Sequence, residues 1–348
     1  MTFKIAIVPA GAWGTALALP ASAGGHDVVL WRDQAFDPGF PNGWDHGHPA
    51  LRGLRLPDNV RGVADMEAAV RGADVIISAS ASAGLRNYCR QMRPLLKPEA
   101  MILSVTKGIE PETGLRMTEI LTQELPEHAT RIAALSGPNF STEVAAGLPT
   151  TTVVACADVA VAEIAQDALM GPKFRVYTNP DMLGVELAGA LKNVMALAAG
   201  LSDGLNMGDN ARAALITRGL TEIARLGTAM GANILTFAGL AGMGDLVLTC
   251  TGDTSRNRQA GLAIGRGQSA EEFVSKTHLT VEGIPTTRAA WLLAQKLTVR
   301  MPITEQLYRV LYEGLSPLEG VRNLMEREKT YEVEEVLRQS FTVPDPKL

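Results

Sequence analysis

The chain has 348 residues, of which 46% are hydrophobic and 20% are charged. This composition is typical of a globular protein, and the length exceeds what one ordinary core holds, so two domains are expected. The 37 acidic against 32 basic residues give a net charge of −5, which argues against a nucleic-acid partner. Three widely spaced cysteines in or beside apolar segments favour free thiols over disulfides or a metal site.

The N-terminus enters an apolar strand at once, without the basic, apolar and small-residue succession of a signal peptide. No uncharged apolar run reaches the ~18 residues of a membrane span. The longest run, near 187–201, is interrupted by Lys192 and Asn193. We therefore expect a cytoplasmic protein without an integral membrane segment.

The first half of the chain alternates between strand-like and helix-like segments. Residues 4–8 are typical of a buried strand, and a glycine-bearing turn and an alanine-rich helix from about Ala12 follow it. Residues 35–62, rich in proline and glycine, are expected to form a loop or a small excursion from the sheet. The other predicted elements are strands 26–31, 74–78, 101–105, 132–135, 151–155 and 175–177, and helices 65–70, 85–96 and 115–124. Such alternation predicts βαβ units and a mainly parallel sheet with both faces covered.

From about Asp181 helical periodicity dominates and strand-like runs nearly vanish. The predicted helices cover 182–203, 209–231, 255–266, 269–276, 284–297, 302–313 and 316–327. The predicted fold class is therefore α/β, with an N-terminal Rossmann-like, mainly parallel sheet domain (1–180) followed by an all-helical C-terminal domain (181–341). Residues 342–348 are expected to be a frayed tail.

The turn after the first strand reads Pro9-Ala10-Gly11-Ala12-Trp13-Gly14. In a dinucleotide-binding turn of G-x-G-x-x-G type, the second glycine lets the backbone approach the pyrophosphate and the third lets the helix pack closely. Gly11 and Gly14 fit these two positions. Pro9 replaces the first glycine, and Pro20 falls where a proline should kink the helix or end it early. The alternative for this degraded fingerprint is a plain tight turn.

The second strand ends in Trp31-Arg32-Asp33. An acidic residue at this point bonds the ribose hydroxyls of NAD, whereas an arginine neutralises the 2′-phosphate of NADP. Because Arg32 comes first and Asp33 follows, the pattern admits either NAD or NADP. The alternative for Arg32 is a solvated surface side chain.

One lysine, Lys192, interrupts an apolar helical run over 185–198. A buried ammonium is costly unless it is paired, and desolvation generally lowers the pKa of such a group toward the range of proton exchange. A proton-donating lysine beside a nicotinamide is the pair of groups that reduces a carbonyl. The alternative is a lysine that snorkels off one edge of its helix.

Further along, several motifs occur in fixed order: Thr106-Lys107-Gly108, Leu135-Ser-Gly-Pro138, Gly184-Val-Glu-Leu187, Ala190-Leu-Lys-Asn193, and the segments 209–219, 239–251, 255–258, 281–283 and 301–304. With the opening turn, they resemble the bacterial NAD(P)-dependent glycerol-3-phosphate dehydrogenases over nearly the whole chain. The resemblance implies reversible reduction of dihydroxyacetone phosphate, a phosphorylated triose, to sn-glycerol 3-phosphate for phospholipid synthesis. It also implies a homodimer and no metal.

The resemblance further implies roles for individual residues. Lys192 is the implied proton donor and acceptor, and Lys107 is a second cation near substrate and cofactor. The implied substrate contacts are Lys107, Gly137, Asn139, Lys192, Asp245, Ser255, Arg256 and Asn257. The implied cofactor contacts are Gly11, Ala12, Trp13, Gly14, Arg32, Lys107, Ser141, Arg256, Thr280 and Glu282.

These residue types suit the chemistry independently. Hydride delivery to a ketone develops negative charge on oxygen, which a positioned ammonium stabilises before it transfers a proton. A phosphate dianion needs charge-assisted donors, which the sequence 255–257 at a predicted helix start supplies. Asp245 either orients Lys192, accepts from a substrate hydroxyl, or caps its own helix. Asn193 and Thr249 either orient the site or satisfy backbone groups.

Two other functions stay open at this point. One is another two-domain dehydrogenase of hydroxyacid type, and the other is an inactive dinucleotide-binding sensor, which Pro9 and Pro20 would explain. The chain also departs from the family at Ala81, where a proline is usual, and at Asn139, where a small hydroxyl residue is usual. The sequence Asp45-His46-Gly47-His48 lacks further ligands for a metal and is expected to be a solvated loop.

Overall fold

The structure is a computed structural model that describes residues 2–33, 48, 50, 51 and 53–329. The expected tail at 342–348 lies outside these residues. So do residues 45–47 of the histidine-containing sequence and most of the predicted loop 35–62.

Eight strands form a sheet in the N-terminal part of the described chain. They are β1 (Lys4–Val8), β2 (Asp27–Trp31), β3 (Val60–Val63), β4 (Val75–Ser78), β5 (Met101–Ser104), β6 (Ile132–Ser136), β7 (Thr150–Ala155) and β8 (Phe174–Asn179). Their order across the sheet is β3-β2-β1-β4-β5-β6-β7-β8. Neighbours are parallel except β6 and β7, and Ala6 of β1 lies opposite Val29 and Ile76.

Helices cover both faces of this sheet. They are α1 (Ala12–Ala23), α2 (Met66–Val70), α3 (Leu85–Met92), α4 (Met117–Glu124), α5 (Ser141–Ala145) and α6 (Val159–Leu169). One buried cluster joins α1 and α6 to strand residues such as Ile77, and another joins α2, α3 and α4 to residues such as Ile76. The predicted Rossmann-like sheet with both faces covered is confirmed.

Residues from Met182 onward are helical in the part of the chain that the structure describes. The helices are α7 (Met182–Gly204), α8 (Gly208–Ala229), α9 (Ile234–Phe237), α10 (Asp245–Thr251), α11 (Arg256–Gly265), α12 (Ala270–Thr277), α13 (Gly283–Leu297), α14 (Pro302–Tyr312) and α15 (Pro317–Met325). A π-helical turn, Leu240–Gly244, precedes α10. Helix α7 is buried along almost its whole length and forms the centre of this part.

Some elements differ from the sequence prediction. The predicted loop 35–62 ends in a strand, β3, which pairs only with β2 in the described chain and contains a glycine and an arginine. Helices α5 and α9 have five and four residues, too few to show periodicity. Helix α6 is not among the predicted elements, although Asp158 accepts a hydrogen bond from the Ala160 N–H as its N-cap.

Pro20 does not end helix α1, which continues to Ala23. Proline removes one N–H and therefore one intrahelical hydrogen bond. Leu17 and Ala21, on either side of Pro20, are fully buried in the core beneath the sheet. This packing holds the last turn, and Gly24 closes the helix by donating to the Pro20 carbonyl at 3.2 Å.

Helices α7 and α11 approach each other through glycines on both sides. A methyl group at Gly261 would overlap the Leu197 carbonyl oxygen, and one at Gly200 would overlap the Arg258 carbonyl oxygen. The same holds one turn further along, where Gly204 and Gly265 meet. Backbone therefore packs against backbone along this helix pair.

Two described stretches are long and apolar enough to cross a membrane by length and composition, Met182–Gly204 and Ile234–Thr251. The first is α7, and 83% of its most apolar window is buried inside the protein. The second is broken, because α9 ends at Phe237 and Gly239 is extended. Neither is a clear membrane span.

We predict that Gly261→Ala lowers the free energy of unfolding by about 1–3 kcal/mol or more, because the added methyl group forces α11 away from α7. Urea unfolding followed by circular dichroism measures this change. Gly171→Ala is the matched control, since nothing lies within 4 Å of its added methyl group. Equal stability of the two variants would contradict the backbone packing described here.

Candidate functional site

The candidate site lies at the carboxyl edge of the sheet. Four neighbouring strands, β1, β4, β5 and β6, lead at this edge to Gly11, Ser82, Lys107 and Gly137. The strand order reverses between β1 and β4, and ligands of open α/β sheets bind in the crevice at such a reversal. Helix α7 and the start of α10 close the other side of the crevice.

Asp245 joins the two lysines that the sequence singled out. Its carboxylate, 1% exposed, accepts from the Lys192 Nζ at 2.7 Å and from the Lys107 Nζ at 2.5 Å, one lysine at each oxygen. Lys192 also donates to the Thr249 hydroxyl at 2.7 Å, and Lys107 donates to the Gly137 carbonyl oxygen at 2.9 Å. Lys192 is therefore a buried, paired ammonium, and its interpretation as a snorkelling surface residue is wrong.

The charges of this cluster influence one another. Burial lowers the pKa of Lys107 to about 8, and the nearby Lys192 ammonium adds to the effect, although Asp245 opposes it. Burial by itself would raise the pKa of Asp245, but the two ammonium groups hold it below its usual range. Two cations thus share one carboxylate, which leaves one excess positive charge in a buried site.

Asp245 does not cap its helix. It is the first residue of α10, the N-cap position belongs to Gly244, and no side chain caps that position. Thr249, one turn further along, donates its hydroxyl hydrogen to the Asp245 carbonyl oxygen at 2.7 Å and accepts from Lys192. Of the two alternatives for Thr249, its hydrogen bond with Lys192 favours orienting the site.

A chain of amide hydrogen bonds joins α7, α11 and α13 beside the lysines. The Asn257 side chain donates to the Asn193 side chain at 2.9 Å and accepts from the Gly283 N–H at 2.8 Å. Both asparagine side chains are buried. Asn257 therefore lies beside the site with its carbonyl oxygen already engaged.

The start of α11 holds the other residues expected at the substrate. Ser255 is the N-cap, and its hydroxyl accepts from the Arg258 N–H at 3.3 Å. Arg256 is the first residue of the helix and is exposed. A helix N-terminus, a hydroxyl and a guanidinium are the donor types that a phosphate dianion needs.

Asn139 and Gly137 lie at the β6–α5 connection. The Asn139 side chain donates to the Thr151 carbonyl oxygen and accepts from the Thr152 hydroxyl, both at 3.1 Å, so it is bound to β7. Gly137 has φ +146°, and a methyl group there would lie 3.1 Å from the Thr152 Cα atom. Ser141 begins α5, which packs on α1.

The glycine turn has the shape expected of a dinucleotide cradle. A methyl group at Gly14 would lie 2.8 Å from the Ile7 side chain and 3.0 Å from the Pro9 carbonyl oxygen, so this glycine permits close packing of helix and strand. One at Gly11 would meet nothing within 4 Å. The half-buried Trp13 indole N–H has no acceptor among the described residues. Together with Ala12 at the N-terminus of α1, these groups fit a bound pyrophosphate.

Arg32 and Asp33 follow β2 directly. Arg32 is 6% exposed, so its interpretation as a solvated surface side chain is wrong. Asp33 accepts from the Tyr88 hydroxyl at 3.0 Å. Burial raises the pKa of Tyr88, and the hydrogen bond to Asp33 adds to the effect.

Glu282 contacts the Rossmann-type domain across the crevice. Its carboxylate accepts from the Ser82 N–H at 2.9 Å and from the Ser82 hydroxyl at 2.6 Å. Thr280, two residues earlier, is exposed. Ser82 had no role in the sequence prediction, because nothing in the sequence links two residues 200 positions apart.

Glu186 is a second buried carboxylate that sequence reasoning named without a role. It accepts from the Thr118 N–H at 2.8 Å, from the Thr118 hydroxyl at 2.6 Å and from Arg116 at 2.5 Å. Burial raises its pKa. The contact ties α7 to the start of α4. Its signal was the same as for Lys192, namely a charged residue inside an apolar run.

No group of three or more His, Cys, Asp or Glu side chains suited to a metal occurs among the residues that the structure describes.

Comparison with known proteins identifies the family. The family model described as NAD-dependent glycerol-3-phosphate dehydrogenase N-terminus matches residues 4–162, and the corresponding C-terminus model matches residues 181–322. The chain belongs to the NAD-dependent glycerol-3-phosphate dehydrogenase family. The chain is 64% identical over 343 residues to a glycerol-3-phosphate dehydrogenase [NAD(P)+] of Symbiobacterium thermophilum, covering 98% of this chain and 99% of that protein.

Two further members illustrate the breadth of the likeness. The chain is 46% identical to a Bacillus velezensis glycerol-3-phosphate dehydrogenase [NAD(P)+], covering 96% of this chain and 97% of that protein. It resembles the crystal structure of a Coxiella burnetii glycerol-3-phosphate dehydrogenase with a TM-score of 0.87 and 40% identity, covering 94% of this chain and 99% of that one. A D-mandelate dehydrogenase, 16% identical with a TM-score of 0.61 over 92% of this chain and all of that one, shares the fold alone.

We predict that Asp245→Asn lowers the free energy of unfolding at pH 7 by about 3–5 kcal/mol, because two buried ammonium groups lose their shared carboxylate. The folded-state pKa of Lys107 then lies further below its unfolded value, so the unfolded chain binds more protons and stability recovers as pH rises toward 10. Urea unfolding at pH 7 and 9.5 measures this.

Asp253→Asn is the control, because its side chain is 97% exposed and pairs with Arg258 at the surface. A loss that equals the control, or one that does not shrink at pH 9.5, would contradict the shared-carboxylate arrangement.

Proposed function

We propose that this chain reduces dihydroxyacetone phosphate to sn-glycerol 3-phosphate with NADH or NADPH, reversibly, and that Lys192 exchanges the proton. Family membership supports the reaction. The observation that carries the assignment of residues is the buried Lys192–Asp245–Lys107 cluster at the carboxyl edge of a dinucleotide-binding sheet.

Lys192 donates its proton to the carbonyl oxygen of the ketone as negative charge develops there. The bound nicotinamide supplies the hydride when the reduced cofactor is present. Asp245 and Thr249 each accept a hydrogen bond from the Lys192 Nζ at 2.7 Å. These two bonds fix the ammonium, so the direction of its third N–H is set before substrate binds. Lys107 adds a second positive charge near the same oxygen and favours the alkoxide-like transition state.

The start of α11 supplies the phosphate site in this proposal. Arg256 offers a guanidinium, and Ser255 and Asn257 flank it at the helix N-terminus. Gly137 and Asn139 line the opposite wall, from the β6–α5 connection. A phosphate held there fixes the position of the ketone relative to Lys192. The buried hydrogen bond between Asn257 and Asn193 links the phosphate site to the helix that carries Lys192.

The cofactor would lie along the glycine turn. The pyrophosphate would be held by Gly11, Ala12, Trp13 and Gly14. Arg32 would contact the adenosine ribose or its 2′-phosphate, and Ser141 would line the adjoining wall of the site. Lys107, Arg256, Thr280 and Glu282 would contact it from the far side of the crevice. Pro9 leaves this turn with the same two functional glycines, and we expect at most weakened nucleotide affinity.

The wider assignments belong to the same proposal. Residues 1–180 act as the dinucleotide-binding domain and 181–341 as the substrate domain, with the boundary between β8 and α7. The enzyme works in the cytoplasm as a homodimer through its helical domain and supplies phospholipid synthesis.

The test of the reaction is oxidation of NADH and NADPH with dihydroxyacetone phosphate, followed at 340 nm in side-by-side assays with dihydroxyacetone and with a 2-oxoacid. We expect oxidation only with the phosphorylated ketone, because the Arg256 site needs a phosphate. Oxidation with the 2-oxoacid alone would favour a hydroxyacid dehydrogenase. Cofactor binding without any turnover would favour a sensor.

We predict that Lys192→Met abolishes turnover, with at least a hundredfold loss in kcat on the order typical of a missing general acid. NADPH affinity, measured by fluorescence titration, should change little, because the methionine fills the same apolar space. Lys276→Met, on an exposed face of α12, is the control. Near-normal turnover by Lys192→Met would remove the proposed role of this lysine.

A further inference from the structure

The segment that carries Lys107 is a turn between β5 and α4. It folds back on itself, because the Glu110 N–H donates to the Leu115 carbonyl oxygen and the Gly114 N–H donates to the Glu110 carbonyl oxygen, at 2.9 and 2.8 Å. Ile109 forms an isolated β-bridge with Arg116. Glu110 thus lies at the base of this turn, three residues after Lys107.

Arg86, from the first turns of α3, holds Glu110 in a bidentate pair. Its Nε donates to one Glu110 oxygen at 2.6 Å and its Nη2 donates to the other at 2.8 Å. The remaining Nη1 donates to Glu124 on α4 at 2.8 Å. These hydrogen bonds hold the pKa of Glu110 below its usual range.

This pair differs from an ordinary surface salt bridge. The side chains of Arg86 and Glu110 are 25% and 17% exposed, and the guanidinium bonds two carboxylates. Exposed single ion pairs contribute little and tolerate several geometries. A bidentate guanidinium–carboxylate pair fixes both distance and orientation.

The packing around Lys107 links the orientation of the Arg86–Glu110 pair to the position of the lysine. A methyl group at Gly108 would lie 2.7 Å from the Ser82 Cβ atom, so the turn is wedged against the segment that begins at the end of β4. From this position Lys107 donates to both the Gly137 carbonyl oxygen and the Asp245 carboxylate. A shift of the turn by an ångström would move the backbone that carries Lys107 relative to both acceptors.

We propose that Arg86 is a positioning residue that fixes the Lys107 ammonium in the substrate site through its bidentate pair with Glu110. The inference rests on the role of Lys107 in the proposed function. Arg86 touches neither substrate nor cofactor, and it acts through the turn that carries the lysine.

Arg90 provides a matched control on the same helix. One turn after Arg86, it forms the same kind of bidentate pair, with both bonds to Glu124 at 2.9 Å. Arg86 also bonds Glu124 on α4, so both arginines contact this helix. Among the described residues, however, Arg90 makes no bond to the turn that carries Lys107. Arg86→Lys and Arg90→Lys therefore each remove a bidentate guanidinium–carboxylate pair from α3, although the Arg90 side chain is 67% exposed against 25% for Arg86. Only the Arg86 pair holds Glu110.

The experiment measures kcat, the KM for dihydroxyacetone phosphate, NADPH affinity and thermal midpoint for Arg86→Lys, Glu110→Gln and Arg90→Lys. We expect Arg86→Lys and Glu110→Gln to lose about 10- to 100-fold in kcat/KM, the cost of a misplaced group, with unchanged NADPH affinity. Arg90→Lys should match the wild type. Adding Arg86→Lys to Lys107→Met should cause no further loss, because the group that it positions is already gone.

The outcomes distinguish the catalytic role of Lys107 from the positioning role of Arg86. If Lys107→Met is as active as the wild type, the role of Lys107 is wrong and the positioning role falls with it. If Lys107→Met is impaired while Arg86→Lys equals Arg90→Lys, only the positioning role is overturned. It is also overturned if the effects of Arg86→Lys and Lys107→Met multiply, or if kcat/KM falls only in step with the thermal midpoint.

Discussion

The close approach of helices α7 and α11 is the constraint on which the site depends. Glycines on both helices remove the side chains that would otherwise separate them, so their backbones touch over two turns. This contact places Asn193, next to Lys192, within hydrogen-bond distance of Asn257, next to Arg256. The spacing between Lys192 and the start of α11, the two ends of the proposed substrate site, is therefore set by helix packing rather than by loops.

The charges of Asp245, Lys107 and Lys192 fix the site further. Asp245 directly follows the π-helical turn before α10, and its carboxylate reaches both lysines from there. Asp245 opposes the burial that lowers the pKa of Lys107, so it helps to keep that ammonium charged. The carboxylate keeps the site cationic yet nearly balanced, which suits a substrate that brings a dianion and develops a further negative charge on oxygen.

Much of this could be predicted from the sequence, because the relevant signals are local. Buried strands, alternating helices and a lysine in an apolar run are visible within a dozen residues. Single-turn helices such as α5 carry no periodicity, and β3 has the composition of a loop. The pairs Ser82–Glu282 and Arg86–Glu110 join residues 200 and 24 positions apart, and only the tertiary fold brings such ordinary surface residue types together.

The lysine cluster also restricts how the molecule can flex. Lys107 follows a strand of the sheet, whereas Asp245 belongs to the helical part, so the Lys107–Asp245 ion pair crosses the crevice between the two. Ser82 and Glu282 cross it a second time. A hinge rotation that widened the crevice would have to break a buried ion pair and a carboxylate hydrogen bond together. Opening the crevice therefore carries the cost of both contacts at once, so the closed arrangement is favoured.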